Sequence, residues 1–221
     1  AGPTAAPTGA VWIARSMAED LLTLTSLPLF PLGTVLFPAG VLPLRVFEVR
    51  YLDMIGKCHR AGAPFGIVAL AQGHEVRTPG APQEQLQPVG TLAHGTALEQ
   101  PQPGLLLVQC RGAQRFRIDR PSQLKHGLWI ADVTLLPHDV ALGIPDDLQH
   151  AARALRQVHA SLRVQTPDAP LPEASAADYD DCARVANRWC DLLPPPPTTK
   201  QRPMSLANGW MRLELVADMP S

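Results

Sequence analysis

The sequence lacks three motifs that are typical of P-loop nucleotide-binding proteins, serine hydrolases and zinc-binding proteins. It has no Gly-x-x-x-x-Gly-Lys-Ser/Thr loop to cradle phosphates and no Gly-x-Ser-x-Gly elbow to present a nucleophile. It also has no Cys-x-x-Cys pair, and its four cysteines and seven histidines are scattered along the chain. We therefore predict no catalytic residues, no metal site and no cofactor, and we expect the cysteines to be free thiols at buried or half-buried positions.

Charge and long apolar runs are also scarce. Only 18% of the residues are charged and the net charge is −1, which argues against nucleic acid or an anionic membrane as a general partner. We find no uninterrupted run of about 18 apolar residues, and residues 1–16 lack the basic start and apolar core of a secretory signal. These features predict a cytoplasmic protein that does not enter a membrane.

Proline, by contrast, is abundant, with 24 residues in the chain. Four of them interrupt the apolar segment LPLFPLGTVLFPAGVLPLRVFEVRY at residues 27–51, at Pro28, Pro31, Pro38 and Pro43. Proline removes a backbone donor and stops a helix, and within sheets it is confined to edges, strand starts and bulges. The pattern therefore predicts short extended pieces joined by turns, rather than one helix or one central strand.

Hydrophobic periodicity outlines the elements that follow. Phe47, Tyr51, Met54 and Cys58 share a helical face, and Gly62 is placed to end that helix. Apolar or alternating runs then predict strands at 64–71, 89–98, 105–110, 114–119 and 129–135, with a surface loop at 73–88. In the run at 114–119, Phe116 and Ile118 are expected to point inward, while Arg115 and Arg117 point to solvent.

The last third of the chain has the pattern of amphipathic helices. Apolar residues at spacings of three and four predict helices at 148–162 and 179–193, and Ser175 with Asp178 resembles a capping box. Prolines 194–197 should end the second helix in a polyproline II segment, before short helices at 200–206 and 208–218. Strands followed by helices predict an α+β fold.

Five blocks of sequence, in this order, resemble the LON substrate-binding domain, which is the N-terminal domain of ATP-dependent Lon proteases. The blocks are LPLFPLGTVLFPAGVLPLRVFEVRY (27–51), PFGIV (64–68), VGTLAHGTAL (89–98), GLLLVQCRGAQRFRI (104–118) and DLLPPPPTTKQRPMSL (191–206). The resemblance implies a PUA-like antiparallel β pseudobarrel followed by a C-terminal helical portion. We accordingly expect a flexible N-terminal arm or remnant at 1–23, the PUA-like β-rich LON domain at 24–140 and a helical subdomain packed on it at 141–219.

The resemblance implies a function of recognition without catalysis. Lon enzymes carry ATPase and Ser–Lys protease modules after this domain, and the sequence is expected to lack both. Ser122 and Lys125 match Ser-x-x-Lys, but they occupy a polar loop without the partner motifs of that enzyme class. The expected partners are unfolded or client polypeptides, together with a protease or chaperone that acts on them.

Candidate binding residues come from the block at 27–51. Aromatic side chains there belong either to the core or to a peptide-contacting surface, and two charged residues nearby are suited to pin the strands to the helix. The candidates are Phe30, Phe37, Phe47, Glu48, Arg50 and Tyr51.

Two alternative functions stay open at this point. The first is RNA binding by a basic stripe that runs from Arg111 to Arg120 and includes Arg115 and Arg117, since PUA-like folds also occur in RNA-modifying proteins. The second is an enzyme with a small-molecule pocket, for which the sequence offers no convergent set of polar residues.

Overall fold

The computed structural model describes residues 14–15, 21–76, 78–193 and 197–219. Eight strands and five α-helices lie within those residues. The strands are β1 (Ala14–Arg15), β2 (Leu22–Leu32), β3 (Val41–Val46), β4 (Phe65–Gln72), β5 (Gln85–Leu86), β6 (Val89–Gln102), β7 (Leu105–Gln123) and β8 (Trp129–Leu135). The helices are α1 (Val49–Ala61), α2 (Gln149–Gln165), α3 (Cys182–Leu192), α4 (Pro197–Ser205) and α5 (Gly209–Ala217). The predicted α+β class is confirmed.

Five of these strands close into a barrel. They pair in the order β2, β8, β7, β6, β4, and a parallel pairing of β2 with β4 returns the sheet to its start. The other four pairings around this ring are antiparallel. The long β6–β7 hairpin extends beyond the ring, and β3 pairs with that extension of β7. This closure is the arrangement expected for an antiparallel pseudobarrel.

Strand β2 is longer and more central than its prolines predicted. It runs without interruption through Pro28 and Pro31 and contributes to the barrel wall. The reason is that β2 changes neighbours along its length: its residues up to Pro28 pair with β8, and Leu29 to Leu32 pair with β4. Pro28 pairs with β8 alone and Pro31 with β4 alone, so a proline that faces its unpaired side removes no ladder bond.

The barrel interior contains a large aromatic side chain from β7. Phe116 is fully buried, and a Cβ on Gly66 or Gly90 would approach its ring to 2.8 or 2.5 Å. Glycine on the two facing strands thus makes room for the ring. Leu29, Val68, Leu92 and Val133 belong to the same apolar cluster, and so does Trp129.

Helix α1 covers the β3 side of the barrel. Its buried face includes Tyr51, Met54, Ile55 and Cys58, which pack on residues of β2, β3 and β4. The helix ends at Gly62, whose φ of 63° is left-handed, as the sequence predicted. It begins later than the periodicity indicated, at Val49, so Phe47 lies before the helix.

The C-terminal helices form a second apolar cluster. Two short 3-10 helices, η1 (Asp146–Leu148) and η2 (Ala176–Asp180), precede α2 and α3. The predicted capping box of Ser175 and Asp178 is present and starts η2, whereas Asp181 caps α3. Phe37 and Val89 from the β-rich half pack into this cluster.

A buried charge network joins the barrel to the last two helices. Arg115 donates to the carbonyl oxygens of Met204 and Leu206, at 2.6 and 3.0 Å. Asp139 lies between two guanidinium groups, 3.5 Å from that of Arg115 and 2.9 Å from that of Arg212. The expectation that Arg115 points to solvent is therefore wrong, because helices cover the outer face of β7 at this position. Burial and the charge of Arg212 lower the pKa of Arg115 to about 10.

Several predictions lie partly outside the described residues. The N-terminal arm at 1–23 falls mostly there, and so does the polyproline II segment, except for Pro197, which begins α4. The domain boundary near residue 140 stays a prediction. None of the described helices combines the length and apolar character needed to cross a bilayer.

A candidate polypeptide-binding groove

An open groove runs between the end of β2 and strand β3, with a volume of about 330 Å³. Its lining comes from β2, β3, the start of α1 and the loop after β4. The lining residues are Phe30, Leu32 and Thr34 on one side, residues 42–48 on the other, Tyr51 of α1, and Glu75 with Val76 of the loop. We call this feature the β2–β3 groove.

Strand β3 gives the groove an unpaired edge. Among the described strands, β3 pairs with β7 alone, and Leu29 to Leu32 of β2 pair with β4 alone. Two lengths of strand with one open side each therefore flank the same groove. An open edge presents backbone donors and acceptors to a further strand.

Apolar side chains are exposed around the groove. Phe47 is 52% exposed and Val76 is 48% exposed, and both line the groove. Val49, at the start of α1, is 76% exposed. Large apolar side chains grouped at a concave surface are typical of interaction sites. Beneath them, the rings of Phe30 and Tyr51 pack at a centroid distance of 4.2 Å and form a buried floor.

Arg50 fixes the position of the groove from behind. Its guanidinium is buried and contacts Glu48 at 3.0 Å, Glu84 at 2.9 Å and the carbonyl oxygen of Gly127 at 3.0 Å. It also lies 4.6 Å from the centre of the Tyr51 ring. Burial lowers the pKa of Arg50, but its bond to Glu84 and the nearby acidic groups more than offset this, so the net pKa is raised. Arg50 therefore stays charged and joins the start of α1 to Glu84 and to the carbonyl oxygen of Gly127.

Two glutamate side chains of the loop at 73–88 bond to residues outside it. Glu75 accepts a bond of 2.6 Å from the backbone nitrogen of Gly33, at the end of β2. Glu84 accepts from Arg50 and also from the indole nitrogen of Trp129, at 2.6 Å. The short strand β5 adds a pairing with β4. These contacts hold Val76 at the groove.

The structure separates the six residues that the sequence proposed as a site. Phe30, Phe47, Glu48 and Tyr51 line the β2–β3 groove. Phe37 lies elsewhere, fully buried among the C-terminal helices, and Arg50 lies behind the groove wall. Sequence reasoning did not name the other lining residues, which include Leu42, Arg45 and Val76. Val76 and Leu86 are the two large apolar residues of the predicted loop at 73–88, and this is the signal that could have identified Val76.

The basic stripe from Arg111 to Arg120 does not form one continuous surface. Arg115 is buried in the charge network, while Arg117 pairs with Asp119 and Arg120 lies 3.9 Å from Asp132. Neighbouring carboxylates thus offset two of the exposed charges, and the RNA-binding alternative stays a prediction.

The cysteines and Ser122 do not have the settings of activated nucleophiles. All four cysteines are free and buried, as predicted, and burial raises the pKa of Cys110 and of Cys190 to about 12. Ser122 lies within β7, so the Ser-x-x-Lys match lacks the helical setting of an acylating serine. A search of the described residues found no group of three or more His, Cys, Asp or Glu side chains suited to a metal ion.

Solved structures that resemble this chain include two Lon N-terminal domains. A Lon N-terminal domain protein from Xanthomonas campestris is 29% identical, with a TM-score of 0.69 over 89% of this chain and 100% of that chain. The N-terminal domain of a Mycobacterium avium complex Lon protease is 16% identical, with a TM-score of 0.55 over 88% and 100% of the two chains. The second similarity shows a shared fold alone. A comparison with curated proteins found no match.

The sequence itself matches a protein family over residues 26–219. The match begins in β2 and ends after α5, so it includes the barrel, α1 and the C-terminal helices. It also contains every residue that lines the β2–β3 groove. The chain therefore belongs to the ATP-dependent protease La (LON) substrate-binding domain family.

Proposed function

We propose that this chain is a non-catalytic module that recognises unfolded or client polypeptides in the cytoplasm and holds them in the β2–β3 groove. The family is one of substrate-binding domains, and its substrates are polypeptides in the Lon context. The single observation that carries the proposal is the groove itself, which places exposed apolar side chains beside an unpaired strand edge.

The chemistry of the groove suits an unfolded chain better than a small polar ligand. Phe47 and Val76 offer apolar surface, and the removal of water from that surface on binding is favourable. An unfolded chain carries apolar side chains and unpaired backbone groups together, and the groove has a counterpart for each. The groove is also open along its length, whereas small-molecule sites enclose most of their ligand.

The module supplies no catalytic group in this proposal. A separate protease or chaperone acts on the client that the groove holds. Binding by the module alone is therefore the activity to measure.

The proposal is tested with an unfolded polypeptide and matched surface variants. A carboxymethylated, permanently unfolded protein is titrated into the intact chain by calorimetry, with its native folded form as the control ligand. We expect saturable binding of the unfolded form alone. Phe47→Ser combined with Val76→Ser should weaken it by about tenfold or more, since two exposed apolar contacts are lost.

Val164→Ser is the matched control. Val164 is 82% exposed on α2, where it does not line the groove, so its replacement should leave the affinity unchanged. Absence of saturable binding to a broad panel of unfolded polypeptides would overturn the proposal. So would an equal loss of affinity in the control and the groove variants.

A further inference from the structure

The backbone of β3 alternates between its partner strand and the open groove. At the start of the strand, the nitrogen of Gly112 donates to the carbonyl oxygen of Gly40 at 2.9 Å. Because bonded pairs recur every second residue in an antiparallel ladder, Leu42, Leu44 and Val46 direct their backbone groups at β7. Val41, Pro43 and Arg45 direct theirs at the open side.

Pro43 supports this alternation independently. A proline in a sheet stands where its missing N–H removes no ladder bond, and Pro43 falls on a position that faces the open side. The open edge therefore offers a donor and an acceptor at Val41 and at Arg45, and an acceptor only at Pro43. This is a defined set of backbone partners for a segment of about five residues.

We propose that the client binds as an added antiparallel strand on β3, with apolar side chains at alternate positions and an acidic residue opposite Arg45. The inference rests on the proposed function and specifies which polypeptide segments the groove accepts. Antiparallel pairing is the more stable of the two orientations per residue. Strand addition to an open edge takes its affinity from main-chain bonds and its specificity from alternate side chains.

Side-chain direction on β3 sets the alternation. Leu44 and Val46 are buried on the inner face with the floor residues Phe30 and Tyr51, whereas Pro43 and Arg45 are exposed on the outer face. Residues of an added strand share the face of the β3 residue directly opposite. Client residues opposite Leu42, Leu44 and Val46 therefore enter the groove, and those between them face solvent.

Charge complementarity selects the acidic residue. Arg45 is exposed, and no salt bridge joins it to another residue in the part of the chain that the structure describes. A client residue directly opposite lies about 5.5 Å away between Cα atoms, within reach of its guanidinium. Opposite charges at such a position strengthen pairing by up to about fivefold in affinity.

The first experiment distinguishes strand addition from side-chain binding alone. Fluorescein-labelled nine-residue peptides with alternating valine and serine receive N-methyl groups either on the valines or on the serines. One set of amides faces β3 in an added strand and the other faces away. We expect methylation of the serine amides, opposite Val41, Pro43 and Arg45, to weaken binding by at least about tenfold, and methylation of the valine amides to have little effect.

The second experiment reverses the charge of Arg45 and of the client residue opposite it. A peptide with glutamate at the serine opposite Arg45 should bind a few-fold tighter than one with lysine there, and Arg45→Glu should reverse that preference. Arg153→Glu is the control, because Arg153 is exposed on α2 and lies away from the groove. It should leave the preference intact. Circular dichroism and the thermal midpoint confirm that each variant is folded.

The outcomes separate this inference from the proposed function. If no peptide and no unfolded protein binds, the proposed function fails. If binding saturates but neither the methylation pattern nor Arg45→Glu changes it, the function stands and the strand register is wrong. The inference is also overturned if the free protein forms a dimer and Arg45→Glu abolishes that dimer. A second copy of the chain would then occupy the open edge of β3.

Discussion

At the scale of single residues, burial decides which polar groups are available for chemistry. His159 is 2% exposed, and its Nδ1 lies 2.8 Å from the hydroxyl of Tyr179. Burial lowers the pKa of His159, and the charges of Arg163 and Arg188 lower it further. The lowered pKa favours the neutral imidazole in the folded protein, and the side chain joins α2 to η2, a structural role that the sequence did not indicate.

This pKa shift predicts a pH dependence of stability. The unfolded chain takes up a proton at this histidine near pH 6.5, whereas the folded chain resists protonation until the pH is lower. The contribution of His159 to stability is therefore complete above about pH 6.5 and declines as the pH falls. Urea midpoints measured from pH 8 to pH 5.5 should decrease less steeply in His159→Gln than in the unmodified protein.

A control is needed because the titration of Asp191 changes stability in the opposite direction as the pH falls. Burial raises the pKa of that carboxyl to about 6, so its protonation favours the folded state over part of the same range. The contribution of His159 is read from the difference between the unmodified protein and His159→Gln. His126→Gln, which changes an exposed histidine, should reproduce the unmodified slope. Identical slopes in all three proteins would contradict the assignment.

At the scale of elements, the sequence predicted helices better than strands. Helix ends were found where local chemistry sets them, as at Gly62 and at Asn208, whose side chain accepts from the first amides of α5. The prolines of β2 predict an interrupted strand, but β2 is continuous because it changes partners at Pro28. That change of partners depends on the closed barrel and is not visible in the local sequence. Arg115 was misplaced because helices distant in sequence cover β7 there.

In the candidate site, too, the residues close together in sequence were predicted and those brought in by distant contacts were not. Phe30, Phe47, Glu48 and Tyr51 lie within one stretch of sequence, and the groove uses all four. Val76 comes from a loop that reaches the groove through contacts of Glu75 and Glu84 with distant residues. Periodicity and caps report local structure, whereas contacts across tens of residues depend on the closed barrel.

The contact between β7 and the last helices yields a stability prediction. Asp139 is the carboxylate between Arg115 and Arg212, which are 4% and 0% exposed. Asp139→Asn keeps the shape but leaves two buried guanidinium groups without a counter-charge. We expect a loss of about 3–5 kcal/mol in the free energy of unfolding, measured by urea denaturation.

The matched control uses a surface pair. Arg156 and Asp180 are 3.7 Å apart with exposed side chains, so Asp180→Asn should reduce stability by less than about 1 kcal/mol. Combining Asp139→Asn with Arg115→Met should recover part of the loss, because one uncompensated charge is removed. A loss in Asp139→Asn no larger than in Asp180→Asn would show that the network does not stabilise the fold.

At the scale of the whole molecule, the packed core and the open strand edge lie in different parts of the fold. The closed barrel and the C-terminal helices share apolar contacts and the buried charge network. The β3 edge stands outside the closed ring and keeps one side unpaired among the described strands. A scaffold of this kind can present an open edge to a partner without losing its own core.

The most direct test of this account is residue-resolved amide hydrogen exchange, with and without a saturating unfolded polypeptide. The account predicts slower exchange at the amides of Val41 and Arg45, which face the open side of β3, and no change at the exposed surface of α2. Protection confined to the C-terminal helices, or unchanged exchange along β3 under saturating conditions, would contradict the claim that the β2–β3 groove is where polypeptides bind.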